Sequence, residues 1–186
     1  MLTLLAPEIL IHVLPSFTKF NKVWKPSELI PFTAGWYAKC AIDIGIDDFL
    51  KIGANSTIDS FVKFKPAGGK GDIKIGNRVY INSCCVLYSG NGISIGDDVL
   101  ISANCTLAPV NHEYRNRSKK ISSQGHASSK GGVIIEDNVW IGSNTIILDG
   151  SHICSGTVIA AGSLVRGKCE SNRVFGGNPL REIKKI

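Results

Sequence analysis

The stretch IEDNVWIGSNTIILDGSHICSGTVIAAGSLV, residues 135–165, carries an aliphatic side chain at every sixth position: Ile135, Ile141, Ile147, Ile153, Ile159 and Val165. An α-helix repeats at about 3.6 residues and a strand at about 2, so neither alone accounts for six. Working outward, the same phase holds at Ile52, Ile58 and Phe64, at Ile75, Ile81 and Leu87, and at Ile95, Ile101 and Leu107. Four residues after most of these stands a small or β-branched residue: Ser56, Val62, Val79, Cys85, Val99, Cys105, Val139, Thr145, Ser151, Thr157, Ser163 and Cys169. Two inward positions in each repeat predict short strands joined by sharp corners. The residue between them is Asn55, Asn104, Asn138 or Asn144 in some repeats and Gly150, Gly156 or Gly162 in others. These are the residues that tolerate positive φ. Three such corners close a triangular coil of about eighteen residues, a parallel β-helix. Cys85, Cys105 and Cys169 fall on the small inward position, where a thiol packs as a compact hydrophobe.

The phase slips between Phe64 and Ile75, where PAGGKGD intervenes, and by two residues between Leu87 and Ile95. A far longer gap separates Leu107 from Ile135, so residues 108–132 must leave the coil. An insertion of that size in a solenoid is a functional arm or a linker. This one contains Asn111, His112, Glu113, Arg115, Arg117, Lys119, Lys120, His126 and Lys130. Past residue 170 the repeat stops. In NPLREIKKI, Asn178 suits an N-cap and Pro179 a first helical position, which predicts a short C-terminal helix. The organisation read from the chain is an N-terminal arm over 1–43, a coil over 44–170 and a tail over 171–186.

Composition excludes other classes. With 44% apolar and 19% charged residues in 186, the chain is too apolar for disorder and too poor in charge for a coiled coil. A net charge of +6 favours anionic ligands without naming one, and nothing points to nucleic acid. Six cysteines without a C-x-x-C pair suggest free thiols and a cytoplasmic setting. MLTLLAPEILIHVL is apolar but interrupted by Pro7, Glu8 and His12, and is read as neither signal peptide nor membrane span. With Lys19, Lys22 and Lys25 it suits either a weak contact with an anionic membrane surface or an arm packed over the coil's end.

NHEY, then GGVIIEDNVWIGSNTIILDGSHI, VIAAGSLV and FGGNPLREI, in this order, resemble the hexapeptide-repeat acetyltransferases over roughly residues 44–186. The similarity is to the maltose and galactoside O-acetyltransferase branch and its relatives that modify bacterial surface polysaccharides. It implies left-handed coils, acetyl coenzyme A as acetyl donor, a saccharide hydroxyl as acceptor, and a homotrimer whose active sites lie between subunits. It also places the family's catalytic histidine at His112, a side chain suited to accept a proton at neutral pH. Asn82 matches an acceptor-positioning asparagine, its other reading being a corner residue of the coil. Tyr88 stands near where the family often has an aspartate, and Asn111 precedes the histidine; both join the expected substrate site. Trp140 would wall the pocket or pack the loop down. For coenzyme A, Ser143 and Ala161 lie one coil apart, and Arg166, Arg181 and Lys184 supply charge for phosphates. Arg166 and Gly167 replace the family's usual Thr-Lys, with Lys168 as a substitute cation. His12 and His152 are read as solvated or capping and His126 as a looser substrate contact. A zinc enzyme of the carbonic anhydrase type needs three ligating histidines; only His112 is well placed, so no metal is expected. The competing functions are transfer to an amine on a nucleotide-linked amino sugar, then modification of antibiotics, then a scaffold without catalysis.

Overall fold

The structure, a computed structural model, describes residues 49–66 and 68–186, together with the backbone of Phe17–Lys19. It is a parallel solenoid of three sheets, visited in turn by each coil. Face 1 stacks Leu50–Ile52, Ile73–Ile75, Ile93–Ile95, Val133–Ile135, Ser151–Ile153 and Lys168–Cys169. The parallel strands of face 2 are Thr57–Asp59, Tyr80–Ile81, Leu100–Ile101, Trp140–Ile141, Val158–Ile159 and Arg173–Gly176. Face 3 holds Lys63–Lys65, Val86–Tyr88, Thr106–Ala108, Ile146–Leu148 and Leu164–Val165.

Every aliphatic or aromatic position in the six-residue phase, from Ile52 to Val165, is buried. The small positions four residues on are buried with them, Val62 alone being partly open. Stacked in register, they form one continuous apolar column, each fully buried isoleucine contributing about 1.5–3 kcal/mol.

The corners are left-handed as expected. Asn55 (φ 59°), Asn104 (60°), Asn138 (56°) and Asn144 (59°) take positive φ, as do Gly150, Gly156 and Gly162. Asp98 joins them, and Phe61, Arg78 and Cys84 do so too, although their side chains do not favour it. Closing the triangle dictates the angle whichever residue arrives there. Arg78 is compensated by Asp98 one coil on, which accepts from Nε at 2.6 Å and Nη2 at 2.7 Å. Beside it, where face 1 turns into face 2, side-chain oxygens join successive coils. Asn77 Oδ1 accepts from Ala54 N (2.9 Å), Asp97 Oδ1 from Asn77 N (2.8 Å), and Asp137 Oδ1 from Asp97 N (2.8 Å).

All the phase slips fall at the corner where face 3 turns into face 1. Gly69 and Gly71 lie beside Gly90 and Gly92 there, and a Cβ on either would stand 2.1 Å from that backbone. Glycine is required because backbone stacks on backbone. The long insertion emerges at this same corner, after Thr106–Ala108.

The tail departs from expectation. Arg181–Lys185 is a strand, antiparallel to Arg173–Gly176, and the predicted C-terminal helix is absent. The last rung of face 2 exposes unpaired backbone groups, and pairing with them outweighs the local capping signal. An ion pair between Arg173 and Glu182 ties the two strands. At the opposite edge of face 2, Phe17–Lys19 pairs antiparallel with Thr57–Asp59. The remainder of the N-terminal arm, with its suggested membrane contact, lies outside the described residues. Among the described residues no helix is long and apolar enough to cross a membrane. Among the described residues Cys84, Cys85, Cys105, Cys154 and Cys169 are free, Cys84 exposed at its corner and Cys85 buried at the small inward position.

The backbone N–H and then the side-chain amide of Asn77 hold the Asp97 carboxyl below its ordinary value. A depressed carboxyl contributes stability above its unfolded value, near ~3.9, and loses it as pH falls through the folded one. Asp97→Asn keeps an oxygen for the Asn77 N–H but cannot titrate. Urea midpoints followed from neutral pH into acid should therefore fall less steeply for Asp97→Asn than for the parent; parallel curves would contradict the assignment.

Candidate active site

The insertion is a bonded structure of its own. His112 on the departing limb and His126 on the returning one form an antiparallel bridge. Ala127 N donates to Asn111 O (2.8 Å) and Glu113 N to Gly125 O (3.0 Å). The two imidazoles stack with centroids 5.1 Å apart and planes 29° from parallel. His112 Nδ1 lies 3.3 Å from Gly125 O. A carbonyl only accepts, so in this contact Nδ1 carries the proton and Nε2 keeps its lone pair. Asn111 Oδ1 accepts from His112 N at 3.0 Å, which fixes the backbone under the ring. Farther out, Gln124 closes the loop on Asn116 N (3.0 Å), Asn116 O (3.0 Å) and Lys119 O (3.1 Å).

Two residues that sequence reading passed over clamp the loop's base. Asp149, 8% exposed, accepts from Lys130 N (2.8 Å) and Gly132 N (2.9 Å) on the returning limb, and from Asn91 Nδ2 (3.2 Å). Asn91 N in turn donates to Pro109 O, at the start of the departing limb, at 2.9 Å. Asn91 and Asp149 together hold both limbs. The signal available beforehand was slight: an acid beside a corner glycine, one coil past the insertion. The outer loop offers trypsin Arg115, Arg117, Lys119 and Lys120, all exposed. Asp149→Asn loses the charge that accepts two backbone donors, so tryptic cleavage between residues 115 and 120 should accelerate several-fold while the circular dichroism of the coil persists. Unchanged cleavage would show that the clamp does not hold the loop.

The remaining candidates divide between two edges. Tyr88 ends a strand at the corner where the loop departs, with Lys65 Nζ 3.5 Å from its hydroxyl and 5.0 Å from its ring centroid. Arg166 follows Leu164–Val165 at the same corner. Asn82, in contrast, sits where face 2 turns into face 3, and its Oδ1 accepts from Ser83 N at 2.7 Å, as a corner residue does. Trp140 projects from face 2, half exposed, in register between Leu100 and Val158, with Nε1 donating to Ser102 Oγ at 3.2 Å. Ser143 and Ala161 stack at the face 2 to face 3 corner. There Gly162 N donates to Ser143 O (2.8 Å), so that carbonyl already serves the coil. Arg181 and Lys184 line the exposed edge strand of face 2. Lys168 belongs to neither group: it lies on face 1, paired with Glu170 at 3.1 Å. His112, Asn111, Tyr88 and Arg166 thus share one corner, and face 3 separates them from Asn82, Trp140, Ser143 and Ala161.

Comparison with known proteins agrees with this architecture. Residues 132–167 match the bacterial transferase hexapeptide family (six repeats), and residues 72–109 match the hexapeptide repeat of succinyl-transferase. The chain is 34% identical over 142 residues to galactoside O-acetyltransferase of Escherichia coli (strain K12), covering 74% of this chain and 64% of that protein. A hexapeptide-repeat containing acetyltransferase from Vibrio cholerae O1 biovar eltor, solved with acetyl coenzyme A, superposes with a TM-score of 0.58 at 30% identity, over 67% of this chain and 64% of its own. An N-acyltransferase from Bacillus cereus, solved with dTDP-4-amino-4,6-dideoxyglucose and coenzyme A, gives a TM-score of 0.63 over 73% of each chain. At 24% identity that likeness concerns the fold alone. The chain spans a little under two thirds of the galactoside enzyme's length, as the 64% coverage states. The six-residue period, the three-faced coil and the sequence matches agree: the chain is built of bacterial transferase hexapeptide repeats and is similar to hexapeptide-repeat acetyltransferases.

Proposed function

We propose that the protein transfers the acetyl group of acetyl coenzyme A directly to a saccharide hydroxyl, with His112 as general base. The observation that carries this is the Nδ1 contact with Gly125 O, which leaves Nε2 as an acceptor on an exposed, internally braced loop. Nε2 takes the hydroxyl proton as the oxygen attacks the thioester carbon. The tetrahedral intermediate then collapses, breaking the carbon–sulfur bond, and the departing thiolate takes the proton back from the imidazolium. Similarity to a galactoside O-acetyltransferase and to an acetyltransferase solved with acetyl coenzyme A supports the donor and the acceptor class. A cytoplasmic role in making bacterial surface polysaccharide fits that acceptor.

The division of the candidates between two edges supports a homotrimer with shared sites. A second copy presenting its Asn82, Trp140, Ser143 and Ala161 to the His112 loop would complete the constellation. The outward column Tyr80, Leu100, Trp140 and Val158 on face 2 offers an apolar surface for such contact. Ser143 and Ala161 would flank the pantetheine arm, and Arg181 and Lys184 would meet phosphates as charged donors. Arg166, at the loop corner, would add charge from the partner's side.

A second reading, transfer to the amine of a nucleotide-linked amino sugar, is favoured by one feature. The loop carries Arg115, Arg117, Lys119, Lys120 and Lys130 against Glu113 as its one acid, which suits an acceptor bearing phosphate.

His112→Ala should lower kcat by about 10²- to 10⁴-fold, the usual contribution of a placed base, and leave KM for acetyl coenzyme A nearly unchanged. Replacing Arg181 and Lys184 by alanine should do the reverse, because it removes binding common to ground and transition states. A His112→Ala enzyme that turns over its acceptor at the parent rate would overturn the assignment. Light scattering at assay concentration should give a trimer; a fully active monomer would refute the shared site.

A further inference from the structure

On face 1, away from the loop corner, three side chains converge that acetyl transfer does not use. In the strand Ser151–Ile153, Ser151 and Ile153 point inward, so His152 and the following Cys154 both project outward, two residues apart on one face. The strand Val133–Ile135 runs parallel beside it with Ile135 opposite Ile153, which sets Glu136 across from Cys154. A ring nitrogen of His152, the Cys154 Sγ and a Glu136 carboxylate oxygen all lie within 4.8 Å of one another. We propose that this triangle is a binding site for a divalent transition-metal ion, Zn²⁺ by its donor chemistry.

The donor set is the first argument. One thiolate, one imidazole and one carboxylate match the ligand types zinc prefers, and a hard ion such as Mg²⁺ would not choose the sulfur. Ligand distances of about 2.0–2.3 Å put donors around one zinc ion roughly 3.3–3.8 Å apart, within reach of small side-chain rotations from the present separation. The supporting contacts are the second. Glu136 Oε2 accepts from Ser155 N (2.9 Å) and Ser155 Oγ (3.0 Å), which anchors one carboxylate oxygen. Its Oε1 lies 2.6 Å from His152 Nε2, a position in which a shared proton joins the two groups. The third is placement. The same corner position is Gly53, Gly76 and Gly96 in the first three coils, then Glu136, Cys154 and Glu170 in the last three. Ligand-type side chains therefore form a column in the upper half of the coil alone.

Cys154 points outward yet is only 5% exposed. Zinc binds the thiolate, so binding displaces the thiol proton. Glu170 stands opposite Cys154 on the next strand and pairs at 3.1 Å with Lys168, which itself lies opposite His152, so a carboxylate and the ammonium it balances both border the site. A bound ion would staple neighbouring coils together; it takes no part in the transfer reaction, and the proposal stands independently of the proposed activity.

The test uses the full-length protein, stripped with chelator under reducing conditions and titrated with Zn²⁺ against a chromophoric competitor and, separately, with Co²⁺. The expected results are one Zn²⁺ per chain, a thiolate-to-cobalt charge-transfer band, and a raised Tm with Zn²⁺ present. Cys154→Ser should lose the cobalt band and the Tm shift, and His152→Ala should weaken Zn²⁺ binding by roughly tenfold or more. Cys84→Ser, which removes an exposed thiol elsewhere, and His126→Ala, which removes a loop imidazole, should bind as the parent does. Absence of stoichiometric binding, a cobalt band that survives Cys154→Ser, or binding that disappears with Cys84 or His126 would each overturn the proposal.

Discussion

The left-handed corner is the constraint on which the rest of this molecule depends. A residue held near φ 60° turns the chain sharply enough for strands of two or three residues to stack on themselves. Once they stack, the in-phase aliphatic side chains have nowhere to go but inward. The cost of positive φ on asparagine, or even on Phe61 and Arg78, is met by coil-to-coil hydrogen bonds repeated at every level. Geometry, not side-chain preference, sets the period.

That regularity also explains where function is placed. The insertion and the phase slips share the face 3 to face 1 corner, where Gly69 and Gly71 lie against Gly90 and Gly92, backbone on backbone. The His112 loop leaves from there. Its tip is exposed, but its base is tied to the buried Asp149 and to Asn91, both part of the rigid coil. A catalytic side chain on a loop needs such an anchor, because small displacements of a base cost much of its effect. Asp149 connects the packing of the solenoid to the chemistry proposed for the loop.

Much of the fold was legible in the residues because the repeat is local. Fifteen positions in phase, and Asn or Gly at the corners, are visible without any knowledge of distant contacts. What escaped reading depends on partners far along the chain. Arg78 and Cys84 look unlike corner residues until the neighbouring coil is seen. Asp149 looks like an ordinary turn residue, and its three donors come from residues 91, 130 and 132. The Asn-Pro pair near the C-terminus reads as a helix start, but the open edge of face 2 takes that segment as a strand. Of the candidate site, His112 was legible from its position at the loop's exit, and its carbonyl partner at Gly125 was not. Lys168, selected for charge alone, lies on face 1 with Glu170.

The central claim is that one active site is assembled from the His112 corner of one chain and the Asn82 edge of another. Subunit complementation tests it most directly. His112→Ala and Asn82→Ala proteins, each assayed alone and then unfolded together and refolded as an equal mixture, would form trimers in which some interfaces carry both intact residues. Random assembly makes that fraction about one quarter, so the mixture should recover about a quarter of the parent activity from two weak components. A mixture no more active than the mean of its components would contradict the shared site and place the whole constellation within a single chain.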